Sequence, residues 1–78
     1  MSNSYNGHKN WAQWNVSLWL NNDESLYRVM LYFVKSYRND RPRAAKYFLE
    51  NLNDQGITHT PDGAKYSKTA VRAAMVGI

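Results

Sequence analysis

The stretch DESLYRVMLYFVKSYR, residues 23–38, decides the fold class of this chain. Its apolar residues recur at intervals of three and four, the spacing that aligns side chains along one face of an α-helix. Tyr27 and Leu31 widen that face, so we predict that this is the central helix of the domain. The face consists of Leu26, Met30, Phe33, Val34 and Tyr37.

The start of this helix is marked by polar residues. Asn21 precedes Glu24 by three positions, which is the spacing of a capping box. Asp23 and Glu24 also place negative charge where the helix dipole is positive. We therefore predict a helix that is capped by Asn21 and ends near Arg38.

A further helix is predicted on each side of the central one. Before it, Asn10 is a candidate N-cap for a helix that continues to about Leu20. After it, Asp40 is a candidate N-cap, and Gly56 is typical of the residue that follows a helix end. With Gly56 in that place, Leu52 and Ile57 have the spacing of the pair that meets in a Schellman ending. The apolar stripe of this third helix is Ala45, Phe48, Leu49 and Leu52.

The last quarter of the chain predicts a turn and a short helix. Residues 60–63, TPDG, have Pro and Gly at the second and fourth positions of a β-turn. Ser67 is then a candidate N-cap for a helix from Lys68 to about Met75. The patterns together predict an all-α fold, a compact bundle of three helices plus a short C-terminal helix. We expect one helical domain over residues 1–78, with residues 1–9 as a flexible arm.

Large aromatic side chains are expected to contribute to the core, because a domain of 78 residues buries little surface. Trp11 and Trp14 share an apolar stripe with Leu18 on the first helix. Trp19 points to another side of that helix and is either a second core contact or an exposed anchor. The predicted core is Trp11, Trp14, Leu26, Met30, Phe33, Phe48 and Leu52.

Composition excludes several classes of protein. The chain has no cysteine and two histidines without a carboxylate at ligand spacing, so we predict no disulfide and no metal site. It has no Gly-rich phosphate loop and no nucleophile elbow, so we expect no enzymatic activity and no cofactor. The longest apolar run, Val29 to Val34, is too short to span a membrane. The N-terminal residues lack the pattern of a secretory signal, which favours an intracellular protein.

Positive charge is concentrated at the junction of the second and third helices. The net charge of the chain is +4, and five cations opposed only by Asp40 fall within residues 35–46. Two tyrosines stand among them, and mixtures of Arg, Lys and Tyr are suited to binding acidic partners. The predicted partner-binding residues are Lys35, Arg38, Arg41, Arg43, Lys46, Tyr37 and Tyr47.

Two other interpretations of this cluster remain open. A charged face is often simply solvated. The short connection between the two helices is also compatible with a DNA-binding helix-turn-helix. The third helix begins Arg41-Pro42-Arg43-Ala44, however, and this first turn lacks the Asn, Gln, Ser and Thr that read base edges. Contact with phosphates that does not depend on sequence is therefore the form of DNA binding to expect.

Two stretches of the chain resemble a group of small bacteriophage proteins. The first combines YNG at residues 5–7, NWxxWNVxLWL at residues 10–20 and NDExLY at residues 22–27. The second is TPDGxxYS at residues 60–67. The basic cluster lies outside both stretches. Many phage proteins of this size inhibit a host machine by binding it, as the anti-CRISPR proteins and the early inhibitors of RNA polymerase do.

The resemblance implies a phage-derived, non-enzymatic inhibitor that acts in the cytoplasm of the infected bacterial host. Its leading form is an anti-CRISPR protein that hinders target-DNA engagement by a CRISPR effector complex. The alternatives are a regulator that binds host RNA polymerase and a small DNA-binding protein without sequence specificity. The expected partner is a host protein or ribonucleoprotein complex, with weak nonspecific binding of nucleic acid. The protein itself is expected to be a monomer or a small homo-oligomer.

Overall fold

The computed structural model describes residues 10–76 and 78 and contains four α-helices in the described part. They are α1 (Trp11–Asn22), α2 (Glu24–Ser36), α3 (Arg41–Asp54) and α4 (Lys68–Ala74). The all-α bundle with a short C-terminal helix is therefore confirmed. The expected flexible arm, residues 1–9, lies outside the described residues. No helix in the described ranges is both long enough and apolar enough to cross a membrane.

Each helix begins at a polar side chain that accepts a hydrogen bond from the first turn. Asn10, Asp40 and Ser67 act as the predicted N-caps of α1, α3 and α4. The predicted cap of α2 is wrong, because Asp23 and not Asn21 accepts the Leu26 N–H, at 3.1 Å. Asn21 belongs to α1, where its side-chain amide donates to the Ser17 carbonyl oxygen at 2.7 Å.

The ends of α2 and α3 lie at or close to their predicted positions. α2 ends at Ser36, two residues before the predicted position. α3 ends in the predicted Schellman motif, in which the Ile57 N–H donates to the Leu52 carbonyl oxygen at 2.9 Å. Gly56 has a φ of 78°, a left-handed conformation that residues with a side chain rarely adopt.

The four helices pack in a ring, so that α1 and α3 each contact α2 and α4. The interior of this ring contains the predicted core residues Met30, Phe48 and Leu52, which are fully buried. Leu26 and Phe33 are half-buried at its edge, where the Phe33 and Phe48 ring centroids are 6.0 Å apart. The other fully buried apolar side chains of the core are Val16, Leu20, Ala44, Ala45, Val71 and Met75.

The predicted inward face of α1 is wrong by about one residue. Trp11 is 41% exposed and Trp14 is only half-buried, whereas Asn15, Val16 and Leu20 are buried. Successive residues on a helix point about 100° apart, so this shift turns the tryptophans to the rim. α1 packs against α4, whose buried side chains include the small Ala70 and Ala74.

The predicted turn at residues 60–63 is confirmed and closes a short hairpin-like loop. The Gly63 N–H donates to the Thr60 carbonyl oxygen at 2.9 Å, and Gly63 has a φ of 95°. The ends of the loop are joined by a hydrogen bond from the Tyr66 N–H to the Thr58 carbonyl oxygen. This loop carries the chain back to α1 before α4 begins.

Candidate binding surface

Four of the five predicted cations lie exposed around the junction of α2 and α3. Lys35 and Arg38 are at the end of α2 and just beyond it, and Arg43 and Lys46 are in the first half of α3. A loop of four residues, Tyr37 to Asp40, connects the two helices and brings these side chains to one end of the bundle. We refer to Lys35, Arg38, Arg43 and Lys46 as the basic corner.

The two predicted tyrosines form the base of the basic corner. The rings of Tyr37 and Tyr47 are stacked at a centroid distance of 5.4 Å and an interplanar angle of 31°. Both are half-buried, so the pair joins the end of α2 to α3. The Lys46 ammonium lies 5.6 Å from the centroid of the Tyr47 ring, within the range of a cation–π interaction. The aromatic pair therefore holds the backbone that carries the cations.

Arg43 is the cation of the corner that has a carboxylate partner. Its Nε atom lies 3.4 Å from Asp40 Oδ2, and both side chains are about half exposed. Asp40 Oδ1 also accepts the Arg43 backbone N–H at 3.1 Å, so the carboxylate is held by its role as N-cap. Exposed pairs of this kind contribute about 0–1 kcal/mol, and a partner's carboxylate can replace Asp40 at little cost.

Arg41, the fifth predicted cation, is placed elsewhere. Its guanidinium is partly buried and donates to the carbonyl oxygens of Met75 at 2.9 Å and Ile78 at 2.6 Å. These contacts attach the end of the described chain to the first turn of α3. Arg41 is therefore a structural residue, and the structure does not bring it together with the basic corner. No local pattern predicts this, because the contacts span 34 and 37 residues.

The remaining charge of the basic corner is not neutralised. In the described part of the chain, the ion pairs are Arg28 with Glu24 and Arg43 with Asp40. Lys35 and Arg38 have neither an ion pair nor a hydrogen bond there. Exposed cations without partners generate the positive potential that attracts acidic surfaces.

A second polar cluster, which the sequence reasoning missed, joins α1 to the 60–63 turn. Asp62 Oδ2 accepts hydrogen bonds from Asn15 Nδ2 and from Trp19 Nε1, both at 2.9 Å. The buried Thr60 hydroxyl donates to Asn15 Oδ1 at 2.6 Å and accepts the Ala64 N–H at 3.0 Å. We refer to Asn15, Trp19, Thr60 and Asp62 as the Asp62 tether.

The hydrogen bonds of the Asp62 tether stabilise the charged form of the Asp62 carboxyl. The hydrogen bond from Asn15, followed by the one from Trp19, lowers the pKa of the Asp62 carboxyl, because both stabilise its charged form. Trp19 is half-buried at the rim of the fold, and its indole N–H is bonded to Asp62. No local pattern predicts the tether, because its hydrogen bonds span 43 to 47 residues; the burial of Asn15 explains it, since a buried amide needs partners.

The tether also joins residues 10–20 to residues 60–67, two stretches that are far apart in the sequence. Asn15 and Trp19 come from the first stretch and Thr60 and Asp62 from the second. A model of the family described as a family of unknown function (DUF7249) matches residues 1–77. The chain belongs to the DUF7249 family. No curated protein and no solved structure matches the chain. The DUF7249 description assigns no activity to its members.

Metal ligands are not gathered in the described part of this DUF7249 chain. Residues 10–76 and 78 contain no group of three or more His, Asp or Glu side chains that could hold an ion. His59 is exposed, and its Nδ1 atom lies 3.0 Å from the Thr58 hydroxyl. The carboxylates of Asp23, Asp40 and Asp62 are engaged as helix caps or in the tether.

Proposed function

We propose that this protein is a non-enzymatic inhibitor of phage origin that binds a host machine through the basic corner. In its specific form, the proposal is an anti-CRISPR protein that hinders target-DNA engagement by a CRISPR effector complex. The observation that carries the binding role is the exposed cluster of cations with unsatisfied charge at the α2–α3 junction. The phage origin and the anti-CRISPR form rest on the resemblance of residues 5–27 and 60–67 to small phage proteins.

The frame beneath the basic corner supports a binding role. Long cationic side chains lose conformational entropy when a partner orders them, and a fixed backbone keeps that loss to the side chains alone. Here the stacked Tyr37 and Tyr47 rings and the Asp40 cap hold the two helix ends in place. Arg is well suited to such a surface because its planar fork can hold a carboxylate through two hydrogen bonds.

An acidic protein surface fits the corner better than the major groove of DNA. A helix-turn-helix would place the first turn of α3 against base edges. In that turn Arg41 is bonded to the chain end and Arg43 is paired with Asp40. The cations of α3 that remain can meet phosphates but offer no set of groups for reading bases. We therefore treat direct DNA binding, like binding to RNA polymerase, as an alternative to be tested.

Affinity capture from bacterial lysates tests the proposal. The full chain is immobilised and exposed to lysates of strains that each express one class of CRISPR effector complex, and the retained proteins are identified. We expect effector subunits to be retained from at least one strain. Retention of RNA polymerase alone would contradict the anti-CRISPR form of the proposal. Retention of duplex DNA at high salt, without any protein, would contradict the proposal that the chain inhibits a host machine by binding it.

Matched charge reversals test the surface. Arg38→Glu with Arg43→Glu removes two cations of the basic corner, and we expect it to abolish capture. Arg28→Glu with Lys65→Glu changes the net charge equally at exposed positions outside the corner, and we expect it to retain capture. Equal loss in both double variants would mean that overall charge and not the corner is responsible.

A further inference from the structure

A groove lies between the first turn of α3 and one face of α4, beside the basic corner. It has a volume of about 240 Å³ and is lined by Pro42, Lys68, Thr69 and Arg72. Lys68 and Arg72 are one helical turn apart and therefore project from the same side of α4. Among the described residues, the lining contains two cations and no acidic side chain, so the groove is positive.

The guanidinium of Arg72 lacks a partner in this groove. Arg72 is half-buried, and in the described ranges it has neither an ion pair nor a hydrogen bond. Lys68 is exposed and is likewise without a partner in that part of the chain. A guanidinium carries five N–H donors, and a carboxylate can accept two of them at once. The groove therefore offers unsatisfied donors beside a surface that is already partly withdrawn from water.

The size and the lining of the groove favour a protein ligand over nucleic acid. A volume of this size holds one or two side chains, whereas a phosphodiester strand needs a longer track of cations. The Pro42 ring, the Thr69 methyl group and the carbon stems of Lys68 and Arg72 make the floor largely apolar. Surfaces that bind nucleic acid are more polar than this. An acidic side chain next to an apolar one matches both the positive charge of the groove and its apolar floor.

We propose that the groove between Pro42 and the Lys68–Arg72 face of α4 binds a short acidic segment of the partner protein, with a carboxylate on Arg72 and an adjacent apolar side chain on Pro42. This inference rests on the proposed function in one respect, since it takes the partner of the basic corner as the source of the segment. Pro42 stands between Arg41 and Arg43 in the first turn of α3, so one partner can cover the groove and the corner together.

Titration of the full chain with short peptides, followed by NMR, tests the groove directly. The probe is the capped peptide Gly-Asp-Leu-Glu-Gly, and its control is the uncharged Gly-Asn-Leu-Gln-Gly. We expect the acidic peptide to shift the Thr69 amide and the Arg72 Nε–H signals, and the control to leave them unchanged. A single-stranded oligothymidylate forms the third arm. Stronger shifts at these two signals with the oligonucleotide would overturn the proposal in favour of phosphate.

Neutral substitutions complete the test. Arg72→Gln and, separately, Lys68→Gln should each weaken binding of the acidic peptide, by about tenfold or more for Arg72. Lys65→Gln removes one exposed cation outside the groove and should leave the affinity within about twofold. Equal weakening by all three variants would overturn the proposal, because it would indicate attraction to net charge alone. The capture assay with the Arg38→Glu, Arg43→Glu double variant tests the proposed function separately, so that failure of the groove proposal and failure of the proposed function can be distinguished.

Discussion

The Asp62 tether and the basic corner are two polar regions of this small bundle, and they differ in how many of their polar groups have partners. In the tether, the Asn15 amide, the Trp19 N–H and the Thr60 hydroxyl all have partners within 2.9 Å. In the corner, Lys35 and Arg38 have no partner in the described part of the chain. A satisfied network holds a fold together, whereas unsatisfied exposed charge is available to another molecule. The tether is therefore a structural polar region, and the basic corner is the region that we propose binds a partner.

Replacement of Asn15 by Ala should break the tether and give the largest loss of stability. The buried Thr60 hydroxyl would lose its acceptor, which destabilises the fold by about 1–3 kcal/mol. For a domain of this size, each kcal/mol lowers Tm by about 4–8 °C. Thermal denaturation measures the effect, with Asn53→Ala, at an exposed position of α3, as the control. Equal Tm values for the two variants would show that the tether does not stabilise the fold.

Arg41 should behave like the tether, although sequence places it with the corner. Replacement by Met keeps much of the side-chain volume and removes two hydrogen bonds to backbone carbonyls. We expect a loss of about 1–2 kcal/mol in urea denaturation, since bonds from a charged donor are among the stronger ones. Arg38→Met, at an exposed position with no partner among residues 10–76 and 78, should change stability by less than about 0.5 kcal/mol. If both variants are equally stable, Arg41 is not part of the structural framework.

The Asp62 carboxylate should make a smaller contribution to stability than Asn15 or Arg41, and this contribution should depend on pH. Hydrogen bonds from Asn15 and Trp19 lower the pKa of this carboxyl in the folded state, so the unfolded chain binds more protons as the pH falls. Stability from Asp62 is thus present above the unfolded pKa of about 3.9 and is lost as the pH falls through the lower folded value. Urea denaturation between pH 7 and pH 2.5 should show a shallower acid loss for Asp62→Asn than for wild type. Asp54→Asn controls for removal of one exposed carboxylate. Identical pH profiles for wild type and Asp62→Asn would contradict a stabilising role of the Asp62 carboxylate.

What the sequence predicts well is local. Helix caps such as Asp40 and Ser67 depend on residues three positions away, and the Gly56 ending depends on a backbone conformation that glycine favours. The single apolar face of α2 also identifies that helix without further information. In these cases the determining contacts lie within one or two turns of the chain.

What the sequence does not predict depends on distant partners. α1 has apolar residues on most of its sides, so periodicity alone does not select its buried face, and close packing with α4 decides it. The Asp62 tether joins residues 43 to 47 positions apart. Arg41 is drawn to the chain end in the same way. Four of the five predicted cations do lie in the basic corner, because two helix ends joined by a short loop bring them together.

One paired measurement tests the separation of the two regions most directly. Tm and affinity for the captured partner are measured for Arg38→Glu with Arg43→Glu and for Asn15→Ala, each at a temperature where the variant is folded. We predict that the corner variant keeps its Tm within a few degrees and loses partner binding, and that the tether variant loses Tm and keeps its affinity. A corner variant with wild-type affinity, or a folded tether variant that no longer binds, would contradict the account.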